Sequence, residues 1–109
     1  MASKRLRLRA DQIRPLVEGL GGCFASDMIP VHGHKVGIMY KEEPEFDVDS
    51  GWRFLAGIES QEYLDDPKNL VIYDVNTIAN YDPEIIPYLH ATVGSVFERD
   101  ANSGHFLES

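Results

Sequence analysis

His32 and His34 sit one residue apart. On an extended strand that spacing turns both imidazoles to one face. Two imidazoles so placed could begin a zinc site. Further ligands would have to come from His90, His105 or an acid. Cys23, the sole cysteine, could act as a nucleophile if a neighbouring base or cation lowered its pKa. No supporting spacing accompanies either idea. The chain has no HExxH helix, CxxC pair, Gly-rich phosphate loop or GxSxG elbow. The plainer alternatives are two exposed polar side chains in a hairpin loop and an inert, buried thiol.

The acids are more informative. Residues 42–84 carry twelve acids, opposed by Arg53 and Lys68 alone. Asp47, Asp49 and Glu59 have the chemistry of calcium ligands, but the EF-hand spacing is absent. They read as a solvated acidic face. Arg53 lies between Trp52 and Phe54. If those two rings face the core, strand alternation turns Arg53 outward. It would then be an interface residue or a local partner of Glu42, Glu43 or Glu59. Glu42, Glu43, Glu45, Asp47, Asp49, Arg53, Glu59, Glu62 and Tyr63 are the candidate protein-interface residues. No catalytic, cofactor or metal residues are assigned, and no cofactor is expected.

Bulk charge points the same way. The net charge is −8 over 109 residues. Residues 1–14 hold Lys4, Arg5, Arg7, Arg9 and Arg14 against Asp11. The rest of the chain holds five basic and seventeen acidic side chains. Such a body repels nucleic acid, whose binding needs Lys and Arg on phosphates. It attracts a basic protein. No apolar run approaches the roughly 20 residues that span a bilayer. No apolar signal core follows the basic start. With one cysteine and no disulfide, a cytoplasmic location is expected.

Elements that must hold these residues follow from pattern. Residues 1–10 read as a basic tail or edge strand. Asp11 to Leu20 reads as a helix, with Ile13, Leu16, Val17 and Leu20 on one face. Strands are expected at Cys23–Ser26, Lys35–Tyr40, Trp52–Leu55, Asn69–Asp74 and Gly94–Arg99. Gly37 marks a bulge or close approach of another segment. Short helices are expected after Ser60, after Asp74 or Asn76, and from Pro83. Residues 100–109 read as a polar, mobile tail. The whole is a single α+β domain over 11–99, with a mainly antiparallel sheet of about four to five short strands and several short helices. Its core is drawn from Leu16, Leu20, Phe24, Val36, Ile38, Tyr40, Trp52, Phe54, Leu70, Ile72, Ile78, Ile85, Leu89, Val96 and Phe97.

Three stretches together resemble one family. They are Lys35-Val36-Gly37-Ile38-Met39-Tyr40, then Asp49-Ser50-Gly51-Trp52-Arg53-Phe54-Leu55-Ala56-Gly57, then Ile72-Tyr73-Asp74-Val75-Asn76-Thr77-Ile78-Ala79-Asn80-Tyr81-Asp82-Pro83. The chain is similar, from about Cys23 to Arg99, to the DUF2185-type domains, also classed as immunity protein family 33 of bacterial polymorphic toxin systems. It departs from them where a Gly-Asp-Glu stretch becomes Gly57-Ile58-Glu59. The resemblance implies a cytoplasmic bacterial protein that binds and neutralises a toxin, and it brings no catalytic residues. The competing expectations are a small metal-binding or hydrolytic protein using His32, His34 and nearby acids, and a regulatory domain that homodimerises through a sheet edge.

Overall fold

A computed structural model describes residues 5–109. Residues 1–4 of the expected basic tail lie outside the described residues. The architecture is α+β, as expected, with one strand more than anticipated. The strands are β1 (Gly22–Ser26), β2 (Ile38–Lys41), β3 (Asp49–Leu55), β4 (Leu70–Asp74), β5 (Val96–Arg99) and β6 (Phe106–Glu108). They form one sheet in the order β4-β1-β3-β2-β5-β6. Among the described residues only the β1–β3 pairing is parallel.

The centre of the sheet is β3, the stretch with Trp52 and Phe54. Both rings are buried and stack with centroids 6.0 Å apart. The Trp52 indole N–H donates to the Leu89 carbonyl at 3.1 Å, so its one polar atom is satisfied. Cys23 and Ala25 of β1, Met39 of β2 and Phe97 of β5 complete the sheet side of this core. Helix α2 (Val75–Tyr81) and the 3₁₀ turn Pro83–Tyr88 supply Val75, Ile78, Ala79 and Ile85, and Leu89 follows directly after the turn.

The short helices begin where their caps predict. Ser60 Oγ accepts from the Tyr63 N–H at 3.1 Å and opens α1 (Gln61–Asp65). Asp74 accepts from the Asn76 N–H and opens α2. Gly37 is a close approach: a Cβ there would lie 2.0 Å from the Ala56 carbonyl oxygen. Gly51 combines φ of +90° with a Cβ position 2.3 Å from the Glu42 carbonyl oxygen, so the β2–β3 hairpin closes only over glycine.

Several sequence expectations are corrected. The helix over 11–20 is replaced by one 3₁₀ turn, Ala10–Gln12, and irregular chain. Side chains of α2 pair with backbone groups of this segment instead. Asn76 Oδ1 accepts from the Leu16 and Val17 N–H groups at 2.8 and 3.0 Å. Asn80 Oδ1 accepts from the Arg14 N–H at 2.9 Å. Leu16 is consequently 42% exposed rather than in the core. Residues 100–109 carry a turn and β6, with Phe106 buried, where a polar tail was expected.

Side-chain parity is the other correction. In β1, β2 and β4 the bulky residues Phe24, Tyr40, Leu70 and Ile72 were assigned to the core. The core takes Cys23, Ala25 and Met39 instead, and Tyr73 packs against it. Trp52 and Phe54 already fill the volume over β3, so small residues suit the neighbouring strand. A one-residue change of parity moves a strand's whole side-chain set to the other face.

Candidate functional site

That opposite face is where the candidate residues gather. Arg53 stands at its centre. Across the sheet, Tyr40 and Phe24 are its direct partners on either side, and Ile72 is paired with Phe24. Arg53 was expected to point into solvent. It leaves the core side, but it is 4% exposed. The loop between β2 and β3 folds over it and supplies carboxylates.

The geometry is a charge cluster with one cation. Arg53 Nη1 and Nη2 donate to Asp49 Oδ1 and Oδ2, each at 2.9 Å, a bidentate pair. Nε donates to Glu42 Oε2 at 3.0 Å, and Nη2 also reaches Glu45 Oε2 at 3.4 Å. Nη1 donates to the Trp52 carbonyl as well. The guanidinium carbon lies 4.8 Å from the Phe24 ring centroid, and Phe46 meets that ring edge-on at 6.0 Å. Asp49 is buried and accepts further from the Glu45 and Gly51 N–H groups at 2.8 and 2.9 Å. The hydrogen bonds from Arg53 hold the Asp49 carboxyl well below the usual carboxylate range. The same pairing raises the Arg53 pKa. Asp49 and Arg53 therefore form an ion pair inside the fold.

The remaining candidates divide by exposure. Glu42, Glu43, Glu45 and Asp47 are exposed along the loop, and Glu62 is exposed on α1. Tyr63 is half-buried. Glu59 is tied to the end of β3: it accepts from the Ala56 and Gly57 N–H groups at 2.7 and 2.9 Å. Burial would raise its carboxyl, but hydrogen bonds from the Ser26 hydroxyl and these N–H groups outweigh it and hold the pKa down. Glu42 and Glu45 form one rim of an open groove of about 380 Å³. Phe24, Tyr40, Arg53 and Leu70 of the sheet line it together with Leu64 and Asp65 of α1 and Pro67. Asp65 also borders a second concavity with Glu62, Tyr63 and Asp66. Sequence reasoning missed Phe24, Tyr40, Leu64, Asp65 and Leu70 as site residues. Three of them, Phe24, Tyr40 and Leu70, are residues that apolar character alone places in the core.

This is the surroundings of the Asp49–Gly57 motif, and a family comparison gives it context. The immunity protein Imm33 domain model matches residues 23–109. The chain belongs to the Imm33 immunity protein family. The match runs past Arg99 to the end of the chain, so the Imm33 domain includes β6. No curated protein and no solved structure matches the chain. Asn80-Tyr81-Asp82-Pro83, the end of the third stretch that carries the resemblance, makes structural contacts. Asn80 holds Arg14, the Tyr81 hydroxyl accepts from the Leu8 N–H at 2.8 Å, and Asp82 pairs with Arg99.

The two chemical alternatives gain no geometry. His32 and His34 are exposed in the turn after β1. Among the described residues, no group of three or more His, Cys, Asp or Glu could hold a metal ion. Cys23 is fully buried, and burial, with Asp74 second, pushes its thiol up to about 12. The native Imm33 domain is therefore expected to resist a thiol reagent such as DTNB at pH 8 and to react fully once unfolded in urea. Rapid labelling of the folded protein would contradict the buried placement.

Proposed function

We propose that this chain is a cytoplasmic, non-enzymatic immunity protein that neutralises a toxin by binding it through its acidic face. The supporting observation is the convergence of two separate acidic segments. Glu42 and Glu45 from the β2–β3 loop and Asp65 from α1 line one groove, and Glu62 and Asp66 continue the acidic surface beside it. Such a surface is complementary to a basic toxin and speeds the encounter at low salt. Family membership supplies the immunity role. The free buried thiol of Cys23 fits a reducing compartment. Among the described residues, no helix is long and apolar enough to cross a membrane.

The experiment is affinity measurement against the toxin encoded beside this gene, at 50 and 500 mM salt. Association is expected to weaken strongly at the higher salt. The triple charge reversal Glu43→Lys, Asp47→Lys, Glu62→Lys should weaken it at least about tenfold at low salt, chiefly through slower association. These three side chains are exposed, so the fold should be retained. A toxin that binds in neither salt removes the proposal.

A further inference from the structure

An antiparallel sheet with one buried face normally presents polar side chains on the other. Here the row across β2, β3, β1 and β4 on the outer face reads Tyr40, Arg53, Phe24, Ile72. Ile72 remains 53% exposed. Leu70 stands on the same side of β4 and lines the groove together with Leu64 of α1. Apolar side chains therefore floor an open groove, and carboxylates rim it.

The electrostatics select the occupant. Among the described residues Arg53 is the one cation lining the groove; it contacts Glu42, Glu45 and the buried Asp49, and Asp65 lines the same groove. The Asp49 pair alone neutralises it, so the rim keeps an excess of negative charge. The side chains of Glu42 and Glu45 are 52% and 64% exposed even while touching Arg53. The groove's volume of about 380 Å³ lies within the roughly 300–1,000 Å³ of ligand sites. An apolar floor with an anionic rim fits a side chain that has an apolar stem and a cationic planar head. Arginine matches both parts, since it lays its methylenes on apolar surface and its fork on carboxylates. Arginine is also among the residues that dominate binding energy at protein interfaces.

Resting on the immunity reading, we infer that the groove between the outer sheet face and α1 receives an arginine side chain of the toxin, seated on Tyr40 and Leu70 and held between Glu42 or Glu45 and Asp65. The loop–helix groove is then the specific anchor, and the surrounding acids steer the approach.

The test needs no toxin. N-acetyl-arginine amide, N-acetyl-leucine amide and N-acetyl-glutamate amide are titrated into the isotopically labelled full chain and followed by amide chemical shifts. The arginine probe should move the amides of Tyr40, Arg53, Leu64 and Asp65 and leave β6 unmoved. Asp65→Lys should weaken this at least about fivefold, and Glu108→Lys, at the far edge of the sheet, should not. Three results would overturn the inference. These are equal shifts with the leucine probe, shifts shared evenly among all acidic residues, and the same shifts on merely concentrating the protein, which would make a second copy the occupant. With toxin in hand, undiminished binding by Asp65→Lys removes the arginine anchor and leaves the immunity reading standing. Absence of any toxin binding removes that reading, whereas the arginine titration reports on the groove itself.

Discussion

Asp49→Ala is expected to cost about 3–5 kcal/mol of folding stability, the range for removing one partner of a buried ion pair. The Asp49 side chain has no exposed surface and that of Arg53 is 5% exposed. Removing the carboxylate strips the guanidinium of its bidentate partner and leaves it Glu42 and Glu45, both at the solvent edge. The N–H groups of Glu45 and Gly51 lose their acceptor as well. A loss of this size is a large share of the roughly 5–15 kcal/mol that holds an ordinary domain together. Urea unfolding followed by circular dichroism measures it. Arg53→Met should cost a similar amount, because it leaves Asp49 as the unpaired buried charge. The double variant should cost clearly less than the sum, as expected for partners in one cycle. Additive effects below about 1 kcal/mol each would show that the pair contributes nothing.

The pair also sets a pH dependence. The Asp49 carboxyl is held below its unfolded value, which is near 3.9 for an ordinary aspartate. Its contribution is therefore fully present above that unfolded value. It is lost as the pH falls from there toward the lower folded value. The wild-type chain should lose stability through this acid range, and Asp49→Asn should show a shallower loss. Parallel pH profiles for the two chains would contradict the pairing.

Arg99→Met is expected to be comparably damaging, for a second reason. Asp82 is fully buried, and Arg99 is its cation. Arg99 also donates from Nε to the Val36 carbonyl at 2.9 Å and from Nη1 to the Gly104 carbonyl at 2.6 Å. Its guanidinium carbon lies 4.4 Å from the Phe106 ring centroid. One side chain thus joins the end of α2, the entry to β2 and the C-terminal hairpin. The substitution strands the Asp82 carboxylate, at about 3–5 kcal/mol. It also frees the turn that returns β6 to the sheet. Hydrogen exchange would separate the two effects. The amides of β6 should lose protection first, while the β1–β3 core keeps its own. Retained protection in β6, with stability within about 1 kcal/mol of wild type, would show that Phe106 packing alone holds the segment.

The ion pairs explain how much of the site was legible. The acids of residues 42–49 and their closeness to Arg53 are visible in the chain, and Glu42 is one of the three local partners, with Glu43 and Glu59, that the sequence offers for it. The bidentate partner Asp49 is not among them, because a strand is expected to begin only at Trp52. The structure begins β3 at Asp49, with two residues more on β3 than on β1 between the Gly22–Asp49 and Phe24–Arg53 pairings. That irregularity brings Asp49 back beneath Arg53. The outer-face groove was invisible for a related reason. Phe24, Tyr40, Leu70 and Ile72 are the residue types that hydrophobicity places inside, and no local signal says that small Cys23 and Ala25 take the core instead. The 11–20 helix failed through a tertiary override. Its apolar spacing is genuine, but Asn76 and Asn80 lie some sixty positions away in the chain and claim its backbone.

Local chemistry determined what can be encoded within a few residues. Ser60 and Asp74 cap helices through their own side chains, Pro83 starts a 3₁₀ turn, and alternation makes β3 bury Trp52 and Phe54 together. Composition likewise determined the acidic character, and three stretches, Asp49–Gly57 among them, carried the family resemblance. Only the tertiary structure decided parity, the sixth strand and the placement of Arg53. Each depends on which distant segment competes for the same volume or the same hydrogen bonds. Arg53 is the clearest case. Alternation correctly sent it away from the core, but whether that face meets water or a folded acidic loop is a long-range outcome that neighbours in the chain do not specify.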